Sequence, residues 1–214
     1  KELIEKAQLL YQKSKKLRRS VSMIQERICY HKQRILIFQE SSVFLEDLIS
    51  NEWELKCNRL QRLNDLQEEF NQFTNPRNHK KRNLPKGNKG MPRPLEITTP
   101  NGLKIQIGRN HKQNEFISIS QARSGDYWFH AQECPGSHVV LKASNGLATE
   151  VDLQIASDLA AFFSRAKGNK KVPVIMASTE KLQRIPGSMP GTVRHRDGKI
   201  LWGEPEKAVK YIFA

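Results

Sequence analysis

No proline or glycine occurs before Pro76. Nothing in that long stretch is built to break a helix, and nothing in it offers turn chemistry. Cysteine is scarce: Cys29, Cys57 and Cys134 are scattered, and no CxxC pair occurs. That excludes a disulfide framework and the common zinc-ribbon spacings, and it fits a reducing, cytoplasmic setting. No apolar run reaches transmembrane length and no signal peptide is visible, so no membrane partner is expected from a spanning segment. Acidic residues are outnumbered, 22 against 36 Lys and Arg, for a formal charge of +14. Such an excess favours a polyanionic partner, nucleic acid first and an anionic membrane second. The chain starts at Lys1, as a portion of a longer protein would.

What is present divides into three parts: a helical arm at 1–74, a linker at 75–94 and a domain at 95–214. The arm holds a heptad register without a slip: Leu3, Ala7, Leu10, Ser14, Leu17, Val21, Ile24, Ile28, His31, Ile35, Phe38, Ser42, Leu45 and Ile49. This predicts a coiled-coil helix about 70 Å long at ~1.5 Å per residue. A break is expected at Ser50-Asn51, with Asn51 and Glu54 placed as a capping box. A second helix would then run to about Phe73, with Leu60, Leu63, Leu66, Phe70 and Phe73 on one face. Being shorter, it covers only part of the seam, so Leu3 to Leu17 need a partner, such as a second copy in self-association. Lys13, Lys15, Lys16, Arg18, Arg19, Arg27, Lys32 and Arg34 face a single acid, Glu26, over the same stretch. A surface laced with salt bridges alternates its signs; this one does not, which points to phosphate contact over a plain solvated face.

The linker carries four prolines, two glycines, seven basic residues and no acid. It serves as a tether, or as a basic strap on RNA. Beyond it, Leu95–Thr98 and Leu103–Ile107 flank Asn101-Gly102, a hairpin signal. Strands are expected at about 127–132, 138–143 and 172–177, and a helix at 150–166 with Val151, Ile155, Leu159 and Phe162 or Phe163 inward. Glu115 to Ala122 fits a strand or a short helix. A last hairpin is predicted at 192–196 and 199–202 across Asp197-Gly198, and a final helix from Pro205. The fold class is α+β.

The densest chemistry lies in Asp126-Tyr127-Trp128-Phe129-His130 and Pro135-Gly136-Ser137-His138. These residues read as two strands around a Pro-Gly turn, with both histidines at its mouth and Asp126 close by. Three uses compete. His130, Cys134 and His138 supply three metal ligands where zinc prefers four, and Pro135-Gly136 breaks the helix that their spacing would need. Ser137, a histidine and Asp126 hold the residue types of a hydrolase triad, without the surrounding elbow. Binding asks least: the imidazoles and Trp128 offer donors and a stacking face, with Arg109 and Lys112 approaching from a basic loop. The alternation of Trp128 and Phe129 sends one of them to the core. Pro186 to Gly191, with Arg194, His195 and Arg196 nearby, is a rigid turn or a phosphate-binding loop.

The hairpin resembles the signature of the NFACT-R domain, in which an acid precedes Trp-Phe-His and Pro-Gly-Ser-His follows. Asp126, Trp128, Phe129, His130, Pro135, Gly136, Ser137 and His138 carry the match. Ile107 to Asn114, Ala160 to Gly168, Val172-Pro173-Val174 and Pro186 to Gly191 fit in the same order, so the likeness covers about 95–214. Lys6 to Leu17 resembles the coiled-coil arm that precedes this domain in the NFACT family of ribosome-quality-control proteins, long described as fibronectin-binding. The resemblance implies helix over Glu115 to Ala122 and a preceding arm to complete the coiled coil. It also implies a factor that binds tRNA and the rRNA of obstructed large ribosomal subunits and promotes alanine tailing of the stalled chain. Neither cofactor nor catalysis is expected of this portion. The RNA-binding candidates are Arg109, Lys112, Asp126, Trp128, His130, Ser137, His138 and Arg194, with Lys13, Lys15, Lys16, Arg18 and Arg19 on the arm. A cell-surface adhesin and an RNA-processing enzyme are the rival classes. The free cysteines and basic charge oppose the first, and the shortage of acids near the histidines opposes the second.

Overall fold

The computed structural model describes residues 2–50, 56–74, 92–144, 146–185, 188 and 190–212. The expected break at Asn51, most of the basic linker and half of the Pro186–Gly191 turn lie outside them. Helix α1 runs unbroken over Glu2–Ser50, with Glu2 and Glu5 in its first turn, where acids complement the helix dipole. By contacts the chain forms two units, 1–36 and 37–214.

The first unit is a single helical segment with its seam open. Leu3 is 84% exposed, and Leu10, Leu17, Val21, Ile24 and Ile28 are exposed too. From Ile37 onward the helix belongs to the second unit and buries a different face: Ile37, Phe44, Asp47 and Leu48. The heptad positions Ile35, Leu45 and Ile49 stay exposed. Phe38, on the seam, meets helix α2 (Lys56–Thr74), its ring centroid 5.5 Å from that of Phe70. The sequence seam is therefore not the face that docks onto the domain, because docking rests on residues outside the a and d positions.

The domain is a six-stranded sheet of order β1-β2-β4-β3-β5-β8, with every pairing antiparallel. Its strands are β1 (Leu95–Thr98), β2 (Lys104–Ile107), β3 (Tyr127–Ala131), β4 (Val139–Lys142), β5 (Val172–Ser178) and β8 (Lys199–Gly203). One face packs on α4 (Glu150–Phe162) and α5 (Pro205–Ile212) through Ile105, Ile107, Phe129, Val139, Leu141, Ile155, Leu159, Val172 and Val174. Thr149 and Asp152 form a reciprocal capping box that fixes where α4 begins. Val151, expected inward, is 56% exposed; the inward stripe falls on Ile155, Leu159 and Phe163.

The other face is covered in part by a π-helical turn, Phe116–Ser120, and by a small ribbon of β6 (Leu182–Arg184) and β7 (Val193–His195). That cover buries Trp128, while Phe129 is buried on the α4 face, so neither of the alternating aromatics is free. The helix α3 (His111–Glu115) leads directly into the π-helical turn. The predicted hairpin of 192–202 does not form: β7 pairs with β6 and β8 pairs with β5. Asp197 does turn the chain with φ 52°, but the turn parts the two strands onto separate sheets.

Candidate nucleic-acid interface

The loop Gly108–Lys112 leaves β2 and is fastened at once. The Gly108 amide donates to the His138 carbonyl at 2.9 Å, and the His138 amide donates to Asn114 Oδ1 at 3.1 Å. Asn110 caps α3 by accepting from the Gln113 amide at 2.8 Å, while Gln113 Oε1 accepts from the Arg109 amide at 2.9 Å. A Cβ on Gly108 would collide with Asn114, so only glycine admits this knot.

The knot aims three side chains at the arm. Arg109 is buried, ion-paired with Asp47, and lies over the rings of Phe163 (4.3 Å) and Phe44 (5.1 Å). Burial pulls its guanidinium down to about 9, which leaves it charged at neutral pH. His111 sets Nδ1 3.3 Å from Glu40 Oε2 and Nε2 3.4 Å from the Ile37 carbonyl. Burial raises Glu40 to about 8, helped by nearby Glu69, and lowers His111 to about 4. Both partners are thus neutral at pH 7, with the carboxylic acid donating to Nδ1 and the other ring nitrogen donating to the carbonyl. Lys112 donates its amide to Glu69 (3.0 Å) and brings its ammonium 3.6 Å from Glu68. Of these candidate RNA contacts by sequence, the Arg109 side chain is occupied in seating the arm, whereas Lys112 is fastened by its amide and keeps its ammonium partly exposed. Ser137, 8% exposed, lines the same seam, where a shallow cleft runs beside Glu40, Asp47, Asn110 and Lys167.

Asp126 is separated from the histidines. It sits at the other end of β3, fully buried, and clasps the far end of the sheet. Oδ1 accepts from the Ala143 and Ser144 amides (3.1 Å each), Oδ2 from the Arg123 amide (3.0 Å) and Lys142 Nζ (2.9 Å). Burial alone would raise its carboxyl; these donors and the Lys142 charge overcome it and hold it below the ordinary value. Asp126 therefore stands apart from His130 and His138, and the hydrolase triad weighed as one alternative in the sequence does not assemble.

The connection between β3 and β4 is a seven-residue loop, 132–138, in place of a tight Pro-Gly turn. It bends first at Glu133 (φ 53°) and then bridges through Gly136 to Ser164. A Cβ on Gly136 would lie 2.9 Å from Ser164 Cβ and 3.2 Å from its Cα, so glycine is there for close approach.

Trp128, His130 and His138 do converge, on the face away from α4, and His195 of β7 joins them. The planes of Trp128 and His130 lie 5° apart with centroids at 5.7 Å; His195 lies 5.9 Å from Trp128 at 29°. His138 meets both Trp128 (5.1 Å) and His130 (5.3 Å) edge to face, a packing geometry in which ring lone pairs do not aim at one point. Ser118 Oγ, from the π-helical turn, lies 2.8 Å from His138 Nδ1. Burial lowers His130 to about 4 and His138 well below its usual range, so both are neutral at pH 7. Trp128 Nε1, His130 Nε2 and His195 Nδ1 are buried without a hydrogen-bond partner.

Residues 94–196 match the model of the "NFACT protein RNA binding domain". The chain carries an NFACT RNA-binding domain. Over 204 residues it is 28% identical to "Rqc2 homolog RqcH" of Bacillus subtilis, covering 94% of this chain and 33% of that protein. The protein of that name from Streptococcus suis is 37% identical over 105 residues, 49% of this chain and 19% of the relative. The chain therefore spans a third or less of the curated relatives it matches. A solved structure, the C-terminal part of the fibronectin/fibrinogen-binding protein of Streptococcus suis, superposes with a TM-score of 0.75 at 28% identity. It covers 95% of this chain and 78% of that one.

Of the remaining RNA-binding candidates, Arg194 is exposed on β7 beside His195. Lys13, Lys15, Lys16, Arg18 and Arg19 are exposed along α1, and among the described residues none of the five makes an ion pair. The acids that receive the NFACT loop, Glu40, Asp47 and Glu69, are not among the sequence candidates. Their only signal is that each follows an apolar residue, Ile37, Phe44 or Leu66, by about one helical turn. Among the described residues no helix is long and apolar enough to cross a membrane.

Proposed function

We propose that this chain is the RNA-contacting portion of a ribosome-quality-control factor. In this reading the parent protein works in the cytoplasm, engages obstructed large ribosomal subunits and tRNA, and promotes alanine tailing of the stalled chain. The role of the portion is recognition without catalysis. The observation that carries this is the pairing of an NFACT RNA-binding domain with an arm whose exposed basic residues face almost no acid. Such a face repels itself in water and is relieved by phosphates. The open seam of 3–35 is proposed to complete a coiled coil with the preceding helix of the same protein.

Ribosome co-sedimentation of the full-length protein tests the reading. The protein should travel with large subunits and leave them as salt rises. Absence from the ribosomal pellet at low salt would reject it. The solved Streptococcus suis relative is called a fibronectin/fibrinogen-binding protein, which favours fibronectin binding as a second reading. Saturable, salt-resistant capture on immobilised fibronectin, with no ribosome association, would support that one.

A further inference from the structure

Strand β8 is an edge of the six-stranded sheet, and its side chains alternate between a covered and an open face. Leu201 points to the α4 side and packs against the core. Ile200 and Trp202 point the other way and are 53% and 57% exposed. Their partners on β5 are Ile175 and Pro173, both half-buried, and Ile175 is in turn the partner of His130 on β3. The β6–β7 ribbon and the π-helical turn stop short of this strip. Trp128 under them is buried while Trp202 beyond them is in water.

An indole and an isoleucine side by side on an open sheet form more than a scattered apolar residue. The strip also borders the three buried ring nitrogens that lack partners, those of Trp128, His130 and His195. Its surroundings are basic. The segment 164–171 brings Arg165, Lys167, Lys170 and Lys171, all exposed, with no acid among them, and Lys171 lies on the same face as Pro173. Arg194 and Arg196, on either side of His195 in the chain, are exposed as well. Two of the nearby acids are already held: Glu204 by Lys207 (3.0 Å) and Lys171 (3.9 Å), and Asp197 by Lys181 (3.0 Å).

We propose that this strip, centred on Trp202 and Ile200 and running toward His130, is a stacking platform for unpaired nucleotides of single-stranded RNA. It deepens the RNA-binding reading and rests on it. A flat aromatic on an open sheet can meet only the exposed π-face of a base, which a duplex hides. The lysines and arginines near the strip hold the backbone.

The 214-residue chain is titrated into a labelled unstructured RNA oligonucleotide and, separately, into a duplex of equal length, with fluorescence anisotropy as the readout. Trp202→Ala should weaken single-strand binding about tenfold, since one base–aromatic stack accounts for that much. Duplex binding and the melting temperature should not change, and Trp202→Phe should retain most of the affinity. Unchanged single-strand affinity in Trp202→Ala, or an equal loss on both RNAs, overturns the platform and leaves the RNA-binding reading standing. A wild-type chain with no affinity for either RNA overturns both. A Trp202→Ala change that only dissolves self-association, seen by sedimentation, reassigns the strip to a contact between copies and also overturns the platform.

Discussion

The guanidinium of Arg109 lies 4.3 Å over the ring of Phe163 while it is ion-paired with Asp47 of the arm. One side chain therefore joins the end of α4, the loop after β2 and helix α1. Its charge is removed from solvent and matched by a single acid.

Breaking that pair from the arm side should be costly. Asp47→Ala leaves a buried guanidinium without its acid and should lower unfolding stability by about 3 kcal/mol. Urea denaturation measures it. A loss below ~1 kcal/mol would show that Phe44 and Phe163 hold Arg109 without the acid.

The neutral Glu40–His111 bond gives the arm seat a signature in pH. Glu40 is raised from 4.5 to about 8, so the protonated form fits the fold. Its contribution is complete below its unfolded pKa and is lost as pH rises through 4.5 toward 8. Glu40→Gln keeps the donor to His111 and cannot ionise. It should match wild type at about pH 5 and melt several degrees higher at about pH 9. Parallel melting curves across that range would contradict the assignment.

The histidines act in the opposite direction. His111 and His130 are both lowered from 6.5 to about 4. Each contributes stability that is whole above 6.5 and is lost as pH falls to about 4, because the folded state excludes the proton that the unfolded chain accepts. Thermal melts should therefore decline over that interval, and His111→Asn should shallow the decline. A flat profile there would mean that the rings protonate freely in the folded state.

Asp126→Asn should destabilise although it changes one atom. Four donors converge on the carboxylate, and an amide nitrogen in place of either oxygen turns at least one acceptor into a donor aimed at another donor. A loss of about 2–3 kcal/mol is expected by chemical denaturation. Affinity of the folded protein for RNA should not change, because the group is buried at the far end of β3.

Replacing Lys13, Lys15, Lys16, Arg18 and Arg19 with Gln should lower affinity for ribosomal RNA and flatten its dependence on salt. Every phosphate no longer neutralised takes about 0.7–0.9 from the slope of log affinity against log salt. Helicity by circular dichroism should hold, since Gln is nearly as good a helix former as Lys.

Local signals make most of the fold legible. The Asn-Gly hairpin, the alternating runs of β3, β4 and β5 and the inward stripe Ile155–Leu159 all encode their structure within a few residues. What escapes a sequence reading depends on partners far along the chain. Nothing near Arg109 announces that its acid is Asp47, and nothing near Asp126 announces that its donors include residues of 142–144. The heptad pattern is real as a helix signal, yet docking uses Ile37, Phe44 and Leu48, which stand off that register. The chain does turn at Asp197-Gly198, but a turn cannot say whether the strands on either side pair with each other. Trp128, His130 and His138 stand out together in the sequence and do meet. Their fourth companion, His195, is found only once β7 has been folded over the sheet.

The neutral Glu40–His111 bond has a practical consequence at the bench. Attraction between exposed charges fades with ionic strength, whereas a bond between two uncharged groups, beside an ion pair sealed from water, barely notices it. A high-salt wash should strip nucleic acid from the exposed lysines and arginines of the arm and leave its docked end in place. Purified that way, the protein would come off the column clean and still assembled, and any RNA that survived the wash would be held by stacking instead of charge.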